Sequence, residues 1–268
     1  MAKTKILFIA HEMSPFLELT KIAKITRQLP QAMQEKGFEI RILMPRFGNI
    51  NERRNRLHEV IRLSGMNIVI NDNDNPLIIK VASLPTARMQ VYFLDNEEYF
   101  QRKQVFRDAK EKFFDDNDER MIFFCKGAIE TVKKLNWVPD IIHVHGWMAS
   151  LLPIYMKHYY KDEALFSETK IVTSVYSQSF EGSLDAEMIN KIKFDGVPQD
   201  AIQELELPNY ENLIKAAIKH SDGVIIASEN VSESLTKFIQ SSEKPFLPFA
   251  SKDKFTEAYT NFYKSMLS

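Results

Sequence analysis

The chain is 268 residues long, with 44% hydrophobic and 26% charged residues and a formal net charge of −1. That is enough chain to bury a substantial core, and a near-neutral balance with no basic block argues against nucleic acid as the main partner. The single cysteine, Cys125, excludes an internal disulfide, and the eight glycines, no two closer than 11 residues, exclude G-x-G-x-x-G and Walker-type phosphate loops.

The N-terminus, MAKTKILFIAH, has an apolar run too short for a signal peptide or a membrane span, so a cytoplasmic protein is expected. Lys5–Ala10 reads as a buried parallel strand. Leu19–Lys36 has apolar residues at helical spacing, with a kink or break expected at Pro30 and a C-cap at Gly37. Glu39–Met44 is a second strand, stopped by Pro45. This βαβ opening predicts an α/β fold with a mostly parallel sheet.

Met66–Ile70 and Leu77–Ala82 flank NDNDNP, a hairpin turn by composition, and Met89–Leu94 is another strand. Residues 96–113 are charged and mixed, without a period after residue 103. Asp116–Leu135 is a long helix, Asp140–His145 a strand, Trp147–Tyr160 a helix and Lys170–Val175 a strand. Residues 183–208 read as irregular or weakly helical. A helix, strand and helix follow at Tyr210–His220, Gly223–Ala227 and Glu229–Gln240. Ser251–Leu267 is a terminal helix with Ser251 as its N-cap. No repeat or linker interrupts the pattern, so residues 1–268 are expected to form one domain.

His143 and His145 are two apart on a strand, so both face one side of the sheet at its carboxyl end. Ligands of open parallel sheets bind at that edge. No third metal ligand stands at a useful spacing, so a histidine-lined crevice is the simpler reading than a metal pair. His11 and Glu12 end the first strand on the same edge. Asp72 and Asp74 have the spacing of a metal-diphosphate motif but sit among turn formers, and a solvated turn is the simpler reading. Cys125, in MIFFCKGAIE, reads as a packed thiol.

Several segments, in order, resemble the N-terminal half of bacterial glycogen synthase and plant starch synthase. KILFIAHEMSPF resembles the S-E-x-x-P-F turn of that family. DNDERMIFFCKGAIE resembles its D-N-x-E-R-F-x-F-F helix, PDIIHVHGWMASLLPIYMK its P-D-I-V-H-x-H-D-W segment, and NLIKAAIKHSDGVIIASENVSESL its helix–strand–helix. The resemblance covers most of residues 4–240. It implies a Rossmann-like domain with helices on both faces, equivalent to the N-terminal domain of a GT-B glycosyltransferase. It also implies ADP-glucose-dependent glucosyl transfer as the ancestral activity.

Set against that pattern, the residues depart at three places. The K-x-G-G-L loop, whose lysine and glycines hold the donor phosphates in the family, is Glu18-Leu19-Thr20-Lys21-Ile22 here. Tyr176 stands where the family places a histidine near the donor sugar, and Gly146 where it places the H-D-W aspartate near the acceptor. The terminal segment DKFTEAYTNFYKSML resembles the helix that crosses back onto the first domain, so residues 251–267 are expected to dock on the domain, with the second domain excised. The expectation is a synthase-like protein with little or no catalysis alone and no cofactor or metal. The alternatives are a glucosyltransferase completed by a partner chain, and a module that binds glucan, a sugar nucleotide or a protein. The cleft candidates are His11, Glu12, Glu18, His143, His145, Trp147 and Tyr176. Tyr99 and Phe106 join Trp147 as possible stacking surfaces, and Trp147 also reads as a core residue.

Overall fold

The computed structural model describes residues 3–84, 87, 89–251 and 253–268. The expected 1–268 domain and 251–267 helix therefore each include positions outside the described residues. Strand β1 (Lys5–Ala10) leads through helix α1 (Ile22–Glu35) to β2 (Glu39–Pro45). A short α2 (Glu52–Asn55) and β3 (His58–Glu59) precede the hairpin of β4 (Met66–Ile70) and β5 (Asn73–Leu84), and β6 (Met89–Asp95) pairs back on β5. After α3 (Glu97–Phe100), the long α4 (Asn117–Leu135) leads to β7 (Ile141–His145), α5 (Leu152–Lys157) and β8 (Lys170–Val175). Then come α6 (Met188–Phe194), α7 (Tyr210–His220), β9 (Gly223–Ile226), α8 (Glu233–Ser241), β10 (Phe246–Leu247) and α9 (Phe255–Met266).

The strands form one sheet in the order β10-β9-β8-β7-β1-β2-β6-β5-β3, with β4 pairing β5. Every pair from β10 to β6 is parallel, and only the β3, β4 and β6 pairings with β5 are antiparallel. The order reverses direction at β1. Right-handed crossovers therefore put α1 on one face and the α4, α5 and α7 crossovers on the other. β1 and β7 are flanked on both sides and buried; β1 is apolar from Ile6 to Ala10, while β7 buries His143 and His145 among its apolar residues.

Several expectations change in detail. The NDNDNP turn is tighter than its composition suggested: only Asn71 and Asp72 leave the ladder, with φ of 46° and 65°, and Asn73 already pairs with Ile70. That is the two-residue, left-handed turn that matches strand twist. Asp74 thus lies in β5, not in a loop. Helix α1 runs through Pro30 without a break and ends at Gly37 (φ 96°), where Phe38 N–H bonds Met33 O and Gly37 N–H bonds Gln34 O. The expected helix over 147–160 shortens to a 3₁₀ turn at 147–149 and α5, because Pro153 allows a helix to begin there but not to arrive from upstream. Residues 183–208 contain α6 and a kinked 3₁₀ stretch.

Helix α9 begins at Phe255 with Lys254 as N-cap, so Ser251 is not its cap. It lies beside α1 with Tyr259, Phe262, Tyr263 and Met266 buried. Gly223 opens β9 at the point of contact. A Cβ there would stand 2.8 Å from Met266 Sδ and 3.1 Å from Phe262, so a larger residue would push the Met266 side chain aside. Among the described residues no helix is long and apolar enough to cross a membrane.

Candidate functional site

The carboxyl edge of the parallel strands opens into a cleft of about 560 Å³. Its floor and walls are rings. Phe106 and Trp147 have centroids 4.8 Å apart, Trp147 and Phe180 5.1 Å, and Phe113 and Phe180 stack at 5.1 Å with 22° between their planes. His11 meets Phe106 edge-on at 5.5 Å. Leu19, Thr20 and Ile22 close one side. The rim carries Lys103 and Arg107 against Asp108, Glu111 and Glu181. Arg107 is partly spent within the rim: it donates to Glu111 O at 2.9 Å and lies over the Phe113 ring.

The wall residue Phe106 is held from behind. Its carbonyl accepts from Asn117 Nδ2 at 3.0 Å, and Arg120 Nη1 donates to Asn117 Oδ1 at 2.6 Å. Arg120 is completely buried with Phe47, Phe100 and Phe114 around its guanidinium. Burial, followed by the neighbouring Arg102, pulls its pKa down to about 9.

Glu12 is fully buried and does not line the cleft. Its Oε2 accepts the backbone N–H groups of Leu19 and Thr20, each at 2.8 Å, and its Oε1 accepts Thr20 Oγ1 at 2.5 Å. Burial raises its pKa, but His11 and the Thr20 hydrogen bonds outweigh burial and leave it below the usual carboxylate range. His11 Nε2 stands 3.5 Å from Glu12 Oε1. The His11 ring fills the space beside Gly146: a Cβ on that glycine would lie 2.2 Å from His11 Cε1. Gly146 has φ 78° and ψ 161°, a backbone region essentially reserved for glycine.

The other expected residues sit elsewhere. Glu18 is exposed and does not line the cleft. His143 and His145, with rings 3.9 Å apart, do share one face, but that face lies under α9. His143 bonds Tyr263 Oη at 2.6 Å and Ser174 Oγ at 2.7 Å, while His145 Nδ1 bonds Tyr176 Oη at 2.6 Å. Burial holds the His143 imidazole well below its ordinary pKa. Burial, with His11 nearby, lowers His145 to about 3. Tyr176 is thus spent inside the core. Tyr99 is also a core residue, donating to Glu119 at 3.0 Å, because α3 turns its ring toward Phe123. His11, Trp147 and Phe106 are the three expected residues that reach the cleft. Phe180 lay unremarked in the YSQSFEG segment, and Phe113 in a stretch with no period to single it out. Cys125 is buried, and its thiol pKa is raised by burial. Among the described residues no group of three or more His, Cys, Asp or Glu is arranged to hold a metal.

Residues 5–244 match the family model for the starch synthase catalytic domain. The chain belongs to that family. It is 37% identical over 220 residues to a glycogen synthase of Chlorobium limicola, covering 81% of this chain and 44% of that protein. It is 40% identical over 189 residues to a glycogen synthase of Chlorobium luteolum, covering 70% and 39%. The catalytic domain of starch synthase IV from Arabidopsis thaliana, solved bound to ADP and acarbose, superposes with a TM-score of 0.76 at 18% identity, over 95% of this chain and 53% of that one. The fold is therefore α/β and matches about half of the GT-B-type starch synthase catalytic domain. The chain spans about half the length of the curated relatives it matches.

Proposed function

We propose that this chain is a synthase-family protein that binds a glucan in its ring-lined cleft and by itself transfers little or no glucosyl. The observation that carries the reading is the loop that aligns with the family's phosphate-holding segment, where Glu18 stands in place of the lysine and both glycines are absent. Glu12, the glutamate of the S-E-x-x-P-F turn, takes the Leu19 and Thr20 amides of that loop. A diphosphate there would meet a carboxylate where the family presents a cation. Transfer needs the leaving diphosphate neutralised while the sugar is positioned. Two further supports are Tyr176, bound inward to His145, and Gly146, whose side-chain space is filled by His11.

The cleft supports the binding half of the reading. Flat aromatic faces with planar amides at the rim, Asn49, Gln104 and Gln178, suit a neutral sugar ring. The test is incorporation of labelled glucose from ADP-glucose into glycogen by purified chain. No turnover is expected, and turnover by the chain alone would overturn the proposal. Turnover that requires a second, added protein fraction would instead favour a transferase completed by a partner chain.

A further inference from the structure

Residues 177–181, between β8 and α6, make no hydrogen bond among the described residues, by backbone or by side chain, and Gln178 to Glu181 line the cleft. The segment is tied at its two ends instead. Tyr176 is buried, with its hydroxyl on His145 and its carbonyl accepting Tyr210 Oη at 2.8 Å. At the other end Ser183 pairs with Asn209, and Leu184 N–H donates to Pro208 O at 3.0 Å.

Between these ties the segment is held by packing. Phe180 is its only apolar residue, and the ring lies 5.1 Å from Phe113, 5.1 Å from Trp147 and 6.0 Å from Tyr210. Gln178 Oε1 is buried without a partner in this position, a cost that water would relieve if the segment lifted. A stretch with no backbone hydrogen bond and one apolar anchor belongs to the low end of local stability. Gly182 supplies a hinge: its φ is 83°, and apart from its chain neighbours no atom lies within 4 Å of where a Cβ would stand.

The partner ring is fixed. Phe113 closes a small hairpin on Arg107, in which Asp108 N–H bonds Lys112 O at 2.8 Å and Phe114 N–H bonds Phe106 O at 3.0 Å. Movement therefore falls to the Phe180 side. The ring contact is also a partition. Phe113 and Glu181 line the cleft and, equally, a second cavity of about 480 Å³ bounded by Phe114, Ser183 and Leu184.

We propose that residues 177–182 are a strap with two positions, latched by Phe180. Seated on Phe113 and Trp147, the strap separates the two cavities; withdrawn, it joins them into one longer groove. The device is independent of what the cleft binds.

The test is pulsed electron–electron resonance on the full chain, with nitroxides at Ser179→Cys on the strap and Lys237→Cys on α8. Both positions are exposed, and the buried Cys125 escapes labelling. The strap should show a seated and a withdrawn distance, the seated one dominant. Phe180→Ala, which removes two close ring contacts, should raise the ratio of withdrawn to seated roughly tenfold. Phe113→Ala removes the other half of the latch and leaves the strap sequence intact, so it should give the same shift. A local collapse around a missing Phe180 ring would not reproduce it. A distance distribution unchanged by Phe113→Ala would overturn the proposal, whatever Phe180→Ala does.

Discussion

Tyr263 and His143 are 120 residues apart in sequence, and their side chains meet at 2.6 Å beneath α9. Tyr263 is fully buried, and its ring also packs edge-on to Phe38. The contact ties the last helix to a central strand of the sheet. Tyr263→Phe should cost about 1–2 kcal/mol, mostly through the unpaired His143 nitrogen. Tyr263→Ala should cost roughly 3–5 kcal/mol by adding a cavity. Urea denaturation of the two variants checks both values, and equal, negligible losses would mean that α9 is not seated as described.

The same buried histidines set a pH dependence. Both have folded pKa values below the unfolded value near 6.5, so the unfolded chain binds their protons first. Their contribution to stability is complete above about pH 6.5 and is lost as pH falls toward the folded values. With His145 at about 3, that residue alone should remove about 2 kcal/mol between pH 6.5 and 5. Glu12, whose folded pKa is depressed, adds a further loss once pH falls below its unfolded value of 4.5. Denaturant midpoints measured from pH 8 to pH 4 should decline below 6.5, and His145→Gln should flatten that decline.

Much of this was legible in the residues. KILFIA, EIRILMP and IIHVH announce buried parallel strands by apolar content alone, and Gly37 marks the end of α1 through its backbone freedom. The placement of His143 and His145 on one face follows from strand pleat. What lies across that face does not, because a strand's sequence carries no record of the helix that covers it. Local pattern put both histidines in the crevice, and α9 puts them in the core. Part of the cleft wall was hidden for a related reason. Phe113 and Phe180 sit in loops, where no periodicity separates a cleft ring from a core ring, and they join the expected Phe106 and Trp147 only when the sheet edge brings the loops together.

Gly146 offers a sharp mutational test. Restoring the family's aspartate collides with the His11 ring, 2.2 Å from the new Cβ, in a backbone region hostile to any side chain. Gly146→Asp should destabilise the chain by about 3 kcal/mol and restore no transfer activity. Thermal melting and the labelled-glucose assay read the two effects separately.

Glu12 should prove structural. Glu12→Gln keeps the shape but removes the charge that the Leu19 and Thr20 amides bond to. Charge-assisted bonds of this kind contribute about 1.5–3 kcal/mol each, so a loss of at least about 2 kcal/mol in local stability is expected. Hydrogen exchange at the Leu19 and Thr20 amides should quicken by tenfold or more, with the sheet amides unchanged. Unaltered exchange would mean that the carboxylate does not hold the loop.

The central claim is that the cleft receives sugar hydroxyls and no longer receives a nucleotide diphosphate. Calorimetric titration of the wild-type chain with maltoheptaose and, separately, with ADP-glucose tests it most directly. The account predicts a saturable binding isotherm for maltoheptaose and none for ADP-glucose at millimolar concentration. A micromolar dissociation constant for ADP-glucose, or saturation by neither compound, would contradict it.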